Sequence, residues 1–181
     1  MPEETSEKYQ NLEMEMKKIL IALMVGLAIA VMFESAKAQA SATQTLTLAV
    51  NAVYKIATSG NPAPLTISTG TAGSDNLTPV ADNSTTYSIT QNFGNTVKIT
   101  ANLDAALPAG YTLTMALGST KGTSAGSVDI SNATSGSAVN VVTAIQKGAD
   151  AAQSINYTFS AHASAGTMSS TSKMVTLTLT N

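Results

Sequence analysis

Apolar and polar residues alternate with a period of two along most of the chain after residue 42. The first alternating segment is "TQTLTLAVNAVYKI", residues 43–56. Its apolar face consists of Leu46, Leu48, Val50, Ala52, Tyr54 and Ile56, while Thr45, Thr47, Asn51 and Lys55 are among the residues on the other face. Because successive side chains of a β-strand point to opposite sides, this pattern predicts one long strand.

Further segments alternate in the same way, and breaks rich in Gly, Pro, Asn and Ser separate them. They are residues 65–68, 85–91, 96–103, 111–117, 127–131, 139–145, 154–163 and 173–180. A long loop is predicted over residues 68–84, and "NFGN" at residues 92–95 is typical of a hairpin turn. One apolar face per strand indicates antiparallel sheets with a solvated side. The predicted fold is an all-β, antiparallel, Ig-like or jelly-roll β-sandwich of about eight to nine strands.

The segment before the strands has the three parts of a secretory signal peptide, over residues 16–40. Lys17 and Lys18 precede an uncharged apolar run of 15 residues from Ile19 to Phe33. Ala38 and Ala40 then form a small-x-small cleavage site, with Ala36 and Ala38 as the alternative. Because a membrane-spanning helix needs about 18 to 20 apolar residues, we predict export and cleavage after Ala40 rather than a membrane anchor.

Residues 1–15 carry five Glu and one Lys, which is unusual in front of a basic signal-peptide start. We interpret them as a mis-called extension, with translation beginning at Met16 or Met14. The remaining organisation is an N-terminal strand over residues 41–57 and a β-sandwich domain over residues 58–181. A tryptic peptide from residues 1–15 in the source cells would refute the first interpretation.

The composition of the predicted mature chain, residues 41–181, excludes several classes of function. Its charged residues are five Lys and five Asp, with neither Arg nor Glu, so no basic patch for nucleic acid is expected. The chain has no Cys, which excludes disulfides, lipid attachment through cysteine, thiol nucleophiles and thiolate metal sites. We expect no cofactor and, in the mature form, no membrane segment.

Few residues offer catalytic or metal-binding chemistry. His162 is the one histidine and lies in "FSAHAS" on the face opposite Tyr157 and Phe159, so we expect it to point to solvent. No "GxSxG" motif supports a Ser-His-Asp triad, and we predict that the protein is not an enzyme. Asp75 and Asp82, each followed by Asn, could supply oxygen ligands for calcium in loop 68–84, but such pairs are also ordinary turn formers.

Aromatic residues do not indicate a carbohydrate site. The chain has no Trp, and the tyrosines at positions 54, 87, 111 and 157 all lie in phase with the apolar faces of their strands. We therefore expect these four side chains to pack in the core. Phe93, in the "NFGN" turn, is the aromatic residue that we predict to be available for contacts with a partner.

The strand at residues 43–56 can pair in one of two ways. It can be an ordinary first strand of its own domain, or it can complete the sheet of a neighbouring subunit with backbone hydrogen bonds and six apolar side chains. Such a strand would hold subunits together without a disulfide. The two alternatives remain open from the sequence.

The order of segments resembles a known family. "TQTLTLAVNAVYKI", "LTIS", "VKITANLDAALPAG" and "AHASAGTMSSTSKMVTLTLTN" are similar in layout to the cysteine-free major pilins of alternate chaperone-usher fimbriae, and to related exported Ig-like domains of unknown function. The resemblance implies that the N-terminal strand is donated to the next subunit. The donor face would be Leu46, Leu48, Val50, Ala52, Tyr54 and Ile56.

We therefore predict a secreted structural subunit of a bacterial surface filament or envelope matrix, located at the cell surface, in a fimbria or outside the cell. It would self-associate into a homopolymer by donating residues 43–56, with an export chaperone as a further partner. The alternative is a self-contained, adhesin-like binding module whose loops 68–84 and 118–137 contact a ligand. Whether residues 43–56 pair within one molecule distinguishes the two predictions.

Overall fold

The computed structural model describes residues 3–31 and 40–181, which divide into two compact units, residues 1–48 and 49–181. The first unit contains one helix, α1 (Glu3–Val31), which joins the acidic segment and much of the apolar run into a single element. Exposed ion pairs link Lys17 to Glu13 and Lys18 to Glu15 within it. No helix among the described residues combines the length and apolar character needed to cross a membrane.

The second unit is a sandwich of two antiparallel sheets. The first sheet has the strand order β1-β2-β8-β4-β6, and the second sheet has the order β5-β7-β3-β9. The strands are β1 (Tyr54–Thr58), β2 (Val80–Gln91), β3 (Val97–Leu103), β4 (Tyr111–Leu117), β5 (Thr123–Ser124), β6 (Val128–Asp129), β7 (Val139–Ile145), β8 (Gly148–Ala161) and β9 (Val175–Thr180). The predicted all-β sandwich is confirmed.

The core lies between the sheets and follows the alternation of the sequence. In β3, the four apolar residues Val97, Ile99, Ala101 and Leu103 are buried, while the residues between them are half-buried. Met115 and Leu117 of β4 and Ile155 of β8 close the core from the other sheet. Each large side chain buried in this way contributes about 1.5–3 kcal/mol, and this burial has to stabilise a fold that has no disulfide.

The strand predicted over residues 65–68 is absent, the one predicted over residues 43–56 is reduced to its end in β1, and two others extend further than predicted. Residues 43–53 and 65–68 form no strand, because no neighbouring strand pairs with their backbone. In contrast, β2 extends back to Val80, into the predicted loop 68–84, and β8 begins at Gly148 rather than at residue 154. The pairing of Val80 with Phe159 and of Gln91 with Gly148 accounts for both extensions.

Bulges interrupt the β2–β8 and β3–β7 ladders. Ala144 in β7 and Ala152 in β8 both have φ of 53°, and both lie where the register with the adjacent strand shifts. An extra residue at each point keeps the apolar faces of the strands directed toward the core. Left-handed backbone at a non-glycine residue costs about 1–2 kcal/mol, so these bulges are held by the surrounding ladders.

The sandwich has two distinct ends. Gln91, Asn92 and the turn to Val97 lie at one end, which we call the exit end because the N-terminal segment enters β1 there. The other end carries residues 104–110 and 162–174, and we call it the loop end. There Gly110 has φ of 86°, and a Cβ on it would lie 2.5 Å from the Cβ of Ala165, so only glycine allows these two loops to pack together.

Candidate functional site: an exposed apolar segment and an open groove

Residues 43–53, which we call the N-terminal arm, precede β1 and pair with no strand of the sandwich. Leu46, Leu48 and Val50 are 77%, 81% and 88% exposed. None of the arm residues belongs to a helix or strand. Three large apolar side chains on one face of an unpaired segment are unusual on a protein surface, and such exposure marks interaction sites.

The predicted donor face is divided by the structure. Tyr54 and Ile56 belong to β1, where they pair with Gln91 and Ile89 of β2 and pack against the core. Leu46, Leu48, Val50 and Ala52 precede β1 and are exposed. The single strand predicted over residues 43–56 is therefore wrong, since only its last three residues pair within the domain.

Asn92 holds the arm at the point where it meets the sandwich. Its side chain accepts a hydrogen bond from the Val53 N–H (2.7 Å) and donates one to the Asn51 carbonyl (2.9 Å). The Asn92 N–H donates a third bond to the Val53 carbonyl (3.3 Å). These bonds fix residues 51–53 at the exit end of the sandwich.

A groove of about 1290 Å³ opens between the two sheets near the loop end. Its floor is the inner face of the first sheet, and its walls are residues 60–67 on one side and residues 166–177 on the other. Core side chains line it, namely Leu107, Leu113, Ile155, Tyr157, Phe159, Val175 and Leu177. The groove therefore gives access to the hydrophobic core of the sandwich.

The two walls of the groove offer unpaired backbone. β9 is the edge strand of the second sheet, and β3 pairs with one side of it. Among the described residues, the backbone groups of 60–68 and of 167–172 make no hydrogen bonds to one another or to the strands beside them. The free edge of β9 is a template for pairing with an additional strand, whereas Pro62 and Pro64 deprive the other wall of two N–H donors.

Thr85 marks the floor of the groove. Its side chain points inward from β2 and the residue is 4% exposed, yet its hydroxyl oxygen has no hydrogen-bond partner among the described residues. Burying a hydroxyl without a partner costs about 1–3 kcal/mol. Such a hydroxyl is an exception among buried polar side-chain atoms, most of which have a hydrogen-bond partner.

His162 lies beside Asp75 at the loop end of the sandwich. Its Nδ1 atom lies 3.3 Å from a carboxylate oxygen of Asp75, and the side chain is half exposed, in line with the predicted solvent-facing position. The Ser164 hydroxyl donates to the same Asp75 carboxylate at 3.0 Å, not to the histidine. Hydrogen bonds from the Ser164 N–H and hydroxyl lower the pKa of Asp75. The cluster ties residues 75 and 76 to the turn after β8, a role in holding the loop end together.

Asp150 lies at the centre of a second polar cluster, whose role is structural. The carboxylate is 2% exposed and accepts hydrogen bonds from the hydroxyls of Ser119 and Thr120 and from the N–H groups of Thr120 and Lys121. Desolvation by burial acts to raise the pKa of Asp150, but these hydrogen bonds outweigh it and the pKa lies below its usual value. The cluster fixes residues 119–121 after β4.

The aromatic residues are part of the core. Burial raises the pKa of Tyr157 to about 12, and burial is also the largest cause that raises the pKa of Tyr87 to about 12. Tyr54 and Tyr111 are half-buried against the same core, so the prediction for all four tyrosines holds. The prediction for Phe93 is wrong, since its ring packs against Tyr54 with centroids 5.4 Å apart.

The remaining sequence-based predictions concern residues outside the groove and the arm. Ala40 is exposed, whereas Ala38 and the cleavage step lie outside the described residues. Asp75 and Asp82 of the calcium hypothesis bond to Ser164 and Ser84, and no group of three metal-ligating side chains occurs in the part of the chain that the structure describes. The groove and Thr85 were missed, because the residues that form them come from segments scattered between residues 56 and 177.

Comparisons with protein-family models, with curated proteins and with solved structures find no match for this chain. The similarity to fimbrial pilins therefore stays a prediction from the sequence layout.

Proposed function

We propose that this protein is a secreted structural subunit that assembles into a surface filament or envelope matrix by donating its N-terminal arm to a neighbouring subunit. The observation that carries the proposal is the exposure of Leu46, Leu48 and Val50 on one face of an unpaired segment. An isolated domain gains nothing from three such side chains in water. A neighbouring copy that buries them gains hydrophobic free energy.

The free energy expected from burying the arm is large enough to hold two subunits together. Burying Leu46, Leu48 and Val50 contributes roughly 5–8 kcal/mol before the costs of ordering the arm and of association are subtracted. Backbone hydrogen bonds to an open strand edge add to this gain. Because the chain has no cysteine, non-covalent burial of this kind is the means by which such subunits would hold together.

The proposal differs from the sequence prediction in the length of the donated segment. Tyr54 and Ile56 are paired in β1 of their own subunit, and Asn92 holds residues 51–53, so donation is limited to residues 43–50. The retained β1 gives the arm a fixed point of attachment. Residues 51–53, which Asn92 holds, form the junction between the retained and the donated parts.

Substitution of one arm residue tests the proposal. Leu48→Asp places a charge on the apolar face, and we expect it to abolish assembly, as measured by gel filtration and by gel electrophoresis without heating of the secreted chain. Thr47→Asp adds the same charge to the opposite face and is the matched control, which we expect to retain assembly. Equal assembly of both variants would contradict the proposal and favour the self-contained binding module.

A further inference from the structure

We infer that the sandwich is electrically polar, with a basic exit end and an acidic loop end, and that this polarity orients a second copy of the chain so that unlike ends meet. The inference rests on the proposed function and adds the charged surfaces that select the orientation of the partner copy. The residues involved are the lysines and aspartates of the sandwich, which lie outside the arm.

Four of the five lysines in residues 41–181 lie at the exit end, namely Lys55, Lys98, Lys121 and Lys147. Lys55 and Lys98 come second in β1 and β3, whose first residues pair with the last residues of β2 and β7. Lys147 lies in the turn between β7 and β8, and the Gln146 N–H in that turn donates to the Lys121 carbonyl (2.9 Å). Lys98 is half-buried and the other three are exposed. Positive charge is therefore gathered at this end of the sandwich.

Carboxylates at the exit end do not balance these lysines. Among the residues that the structure describes, none of the four lysines forms an ion pair. Asp150 is the aspartate of this end, and its buried carboxylate accepts hydrogen bonds from residues 119–121. The α-carboxylate of Asn181 follows Thr180, which pairs with Lys98, and offsets one of the four positive charges. The surface of the exit end keeps an excess of positive charge.

The other four aspartates of residues 41–181 lie in the half of the sandwich toward the loop end, namely Asp75, Asp82, Asp104 and Asp129. Asp104 directly follows β3, and Asp75 bonds to the turn after β8. Asp82 is the third residue of β2, and Asp129 pairs with the fourth residue of β4. Each of the four carboxylates accepts a backbone N–H, and in the described part of the chain none pairs with a lysine. Lys173 is the lysine of this half, so negative charge is in excess there.

This distribution of charge favours contact between unlike ends of two copies. Residues 41–181 contain equal numbers of lysine and aspartate, so the side chains give two copies little net repulsion. Complementary charged surfaces orient partners as they approach and accelerate their association. Two exit ends or two loop ends would instead bring like charges together, which disfavours a symmetric dimer through either end.

The complementary partner of each end is present on the chain itself. A basic end alone would fit any anionic polymer, but here the matching acidic surface belongs to the other end of the same subunit. Contact between unlike ends leaves one free end of each sign, so further copies can add in the same orientation. A second copy is therefore the partner that the charge distribution fits best.

The response of the unmodified chain to salt is the first test. The full-length chain is exported from a secreting host, and its reassembly from monomers is followed by light scattering. Charges are screened beyond about 30 Å in 0.01 M salt and beyond about 3 Å in 1 M salt. We expect assembly to be at least roughly tenfold slower at the higher salt, because screening removes the electrostatic orientation. A rate that is unchanged or higher would overturn the inference.

Exchange of charges between the two ends is the second test. The variant combines Lys121→Glu and Lys147→Glu at the exit end with Asp82→Lys and Asp104→Lys toward the loop end, so the polarity is lost while the net charge is unchanged. The matched control carries Lys121→Arg, Lys147→Arg, Asp82→Glu and Asp104→Glu, which keep every charge in place. In low salt we expect the exchanged variant to assemble at least roughly tenfold more slowly than the control. In 1 M salt the two should assemble alike, which shows that the exchanged variant is folded.

The outcomes separate this inference from the proposed function. An exchanged variant that assembles as fast as the control in low salt, or a parent chain that stops at dimers, would overturn the orientation by charge. Filaments that form at the same rate at every salt concentration would overturn the orientation and leave donation of the arm standing. If the exchanged variant is slow at both salt concentrations, the salt response of the parent chain decides. A parent chain that never assembles would overturn the proposed function and the inference together.

Discussion

Thr85 buries a hydroxyl group that has no hydrogen-bond partner among the described residues. A buried hydroxyl without a partner costs about 1–3 kcal/mol, and β2 supplies no group that could satisfy it. The neighbouring inward residues of β2, Tyr87 and Ile89, are packed as ordinary core residues. The cost at Thr85 is therefore local to the groove.

We predict that Thr85→Val stabilises the isolated subunit by about 1 kcal/mol, because the methyl group removes an unsatisfied polar atom at similar volume. Urea unfolding of the variant in the non-assembling Leu48→Asp background measures the effect. Thr86→Val, on the outward side of the same strand, is the control and should change stability by less than about 0.5 kcal/mol. A loss of stability in Thr85→Val would show that the hydroxyl has a partner in the subunit.

Asp150 is a buried charge whose partners are all present. Asp150→Asn removes the charge from hydrogen bonds with Ser119, Thr120 and Lys121, and we predict a loss of about 2–4 kcal/mol at pH 7. Asp82→Asn is the control, since the Asp82 carboxylate bonds to Ser84 at the surface.

The contribution of the Asp150 carboxylate to the free energy of unfolding decreases at low pH. Its pKa is lower in the folded chain than in the unfolded chain, where it is about 3.9. The stabilisation is therefore complete above about pH 4 to 5 and is lost as the pH falls through the folded value. Urea unfolding at pH 7 and pH 2.5 should show the parent chain approaching the Asp150→Asn variant at the lower pH; a constant difference would contradict this assignment.

At the scale of elements, the N-terminal segment consists of two parts with different roles. β1 belongs to the subunit, since Ile56 packs against the core and its backbone pairs with β2. The arm has exposed apolar residues and no pairing. The boundary lies at residues 51–53, where Asn92 bonds to the backbone.

Two alanine substitutions distinguish these parts in the non-assembling background. We predict that Ile56→Ala destabilises the isolated subunit by about 1–2 kcal/mol, because its side chain is half-buried in the core. Leu46→Ala, in the exposed arm, should change subunit stability by less than about 0.5 kcal/mol. Thermal unfolding measures both, and a large effect of Leu46→Ala would mean that the arm packs on its own domain.

The alternation of apolar and polar residues predicted β3 and β9 correctly. In these strands Ile99 and Leu179 alternate with polar residues, and the two residues pair with each other. The start of β2 was predicted as a loop because Asp82 and Asn83 are turn formers, although pairing with β8 holds them in a strand. The start of β8 was missed because its alanines carry little strand propensity.

The sequence pattern identifies the apolar face of the arm but not the groove. The alternation around Leu48 records which side chains share a face, but the pattern is the same whether the partner strand lies in the same chain or in another. Leu113 and Phe159 of the groove have the pattern of ordinary core residues. Their access to solvent depends on the spacing of two sheet edges, which no local pattern encodes.

At the scale of the whole molecule, the sandwich offers an apolar arm at one end and an open apolar groove toward the other. Both features would be liabilities for a soluble monomer, since exposed apolar segments and open strand edges promote association. Donation of the arm to a neighbouring subunit, as proposed above, would bury the exposed apolar side chains of the arm.

The most direct test is gel filtration and negative-stain electron microscopy of residues 41–181, the predicted mature chain, isolated from its source cells. We predict filaments, and a ladder of multiples of the subunit mass that collapses to the monomer on heating. A monomer that remains dispersed at high concentration would contradict the account, since the arm would then have no acceptor in a second copy.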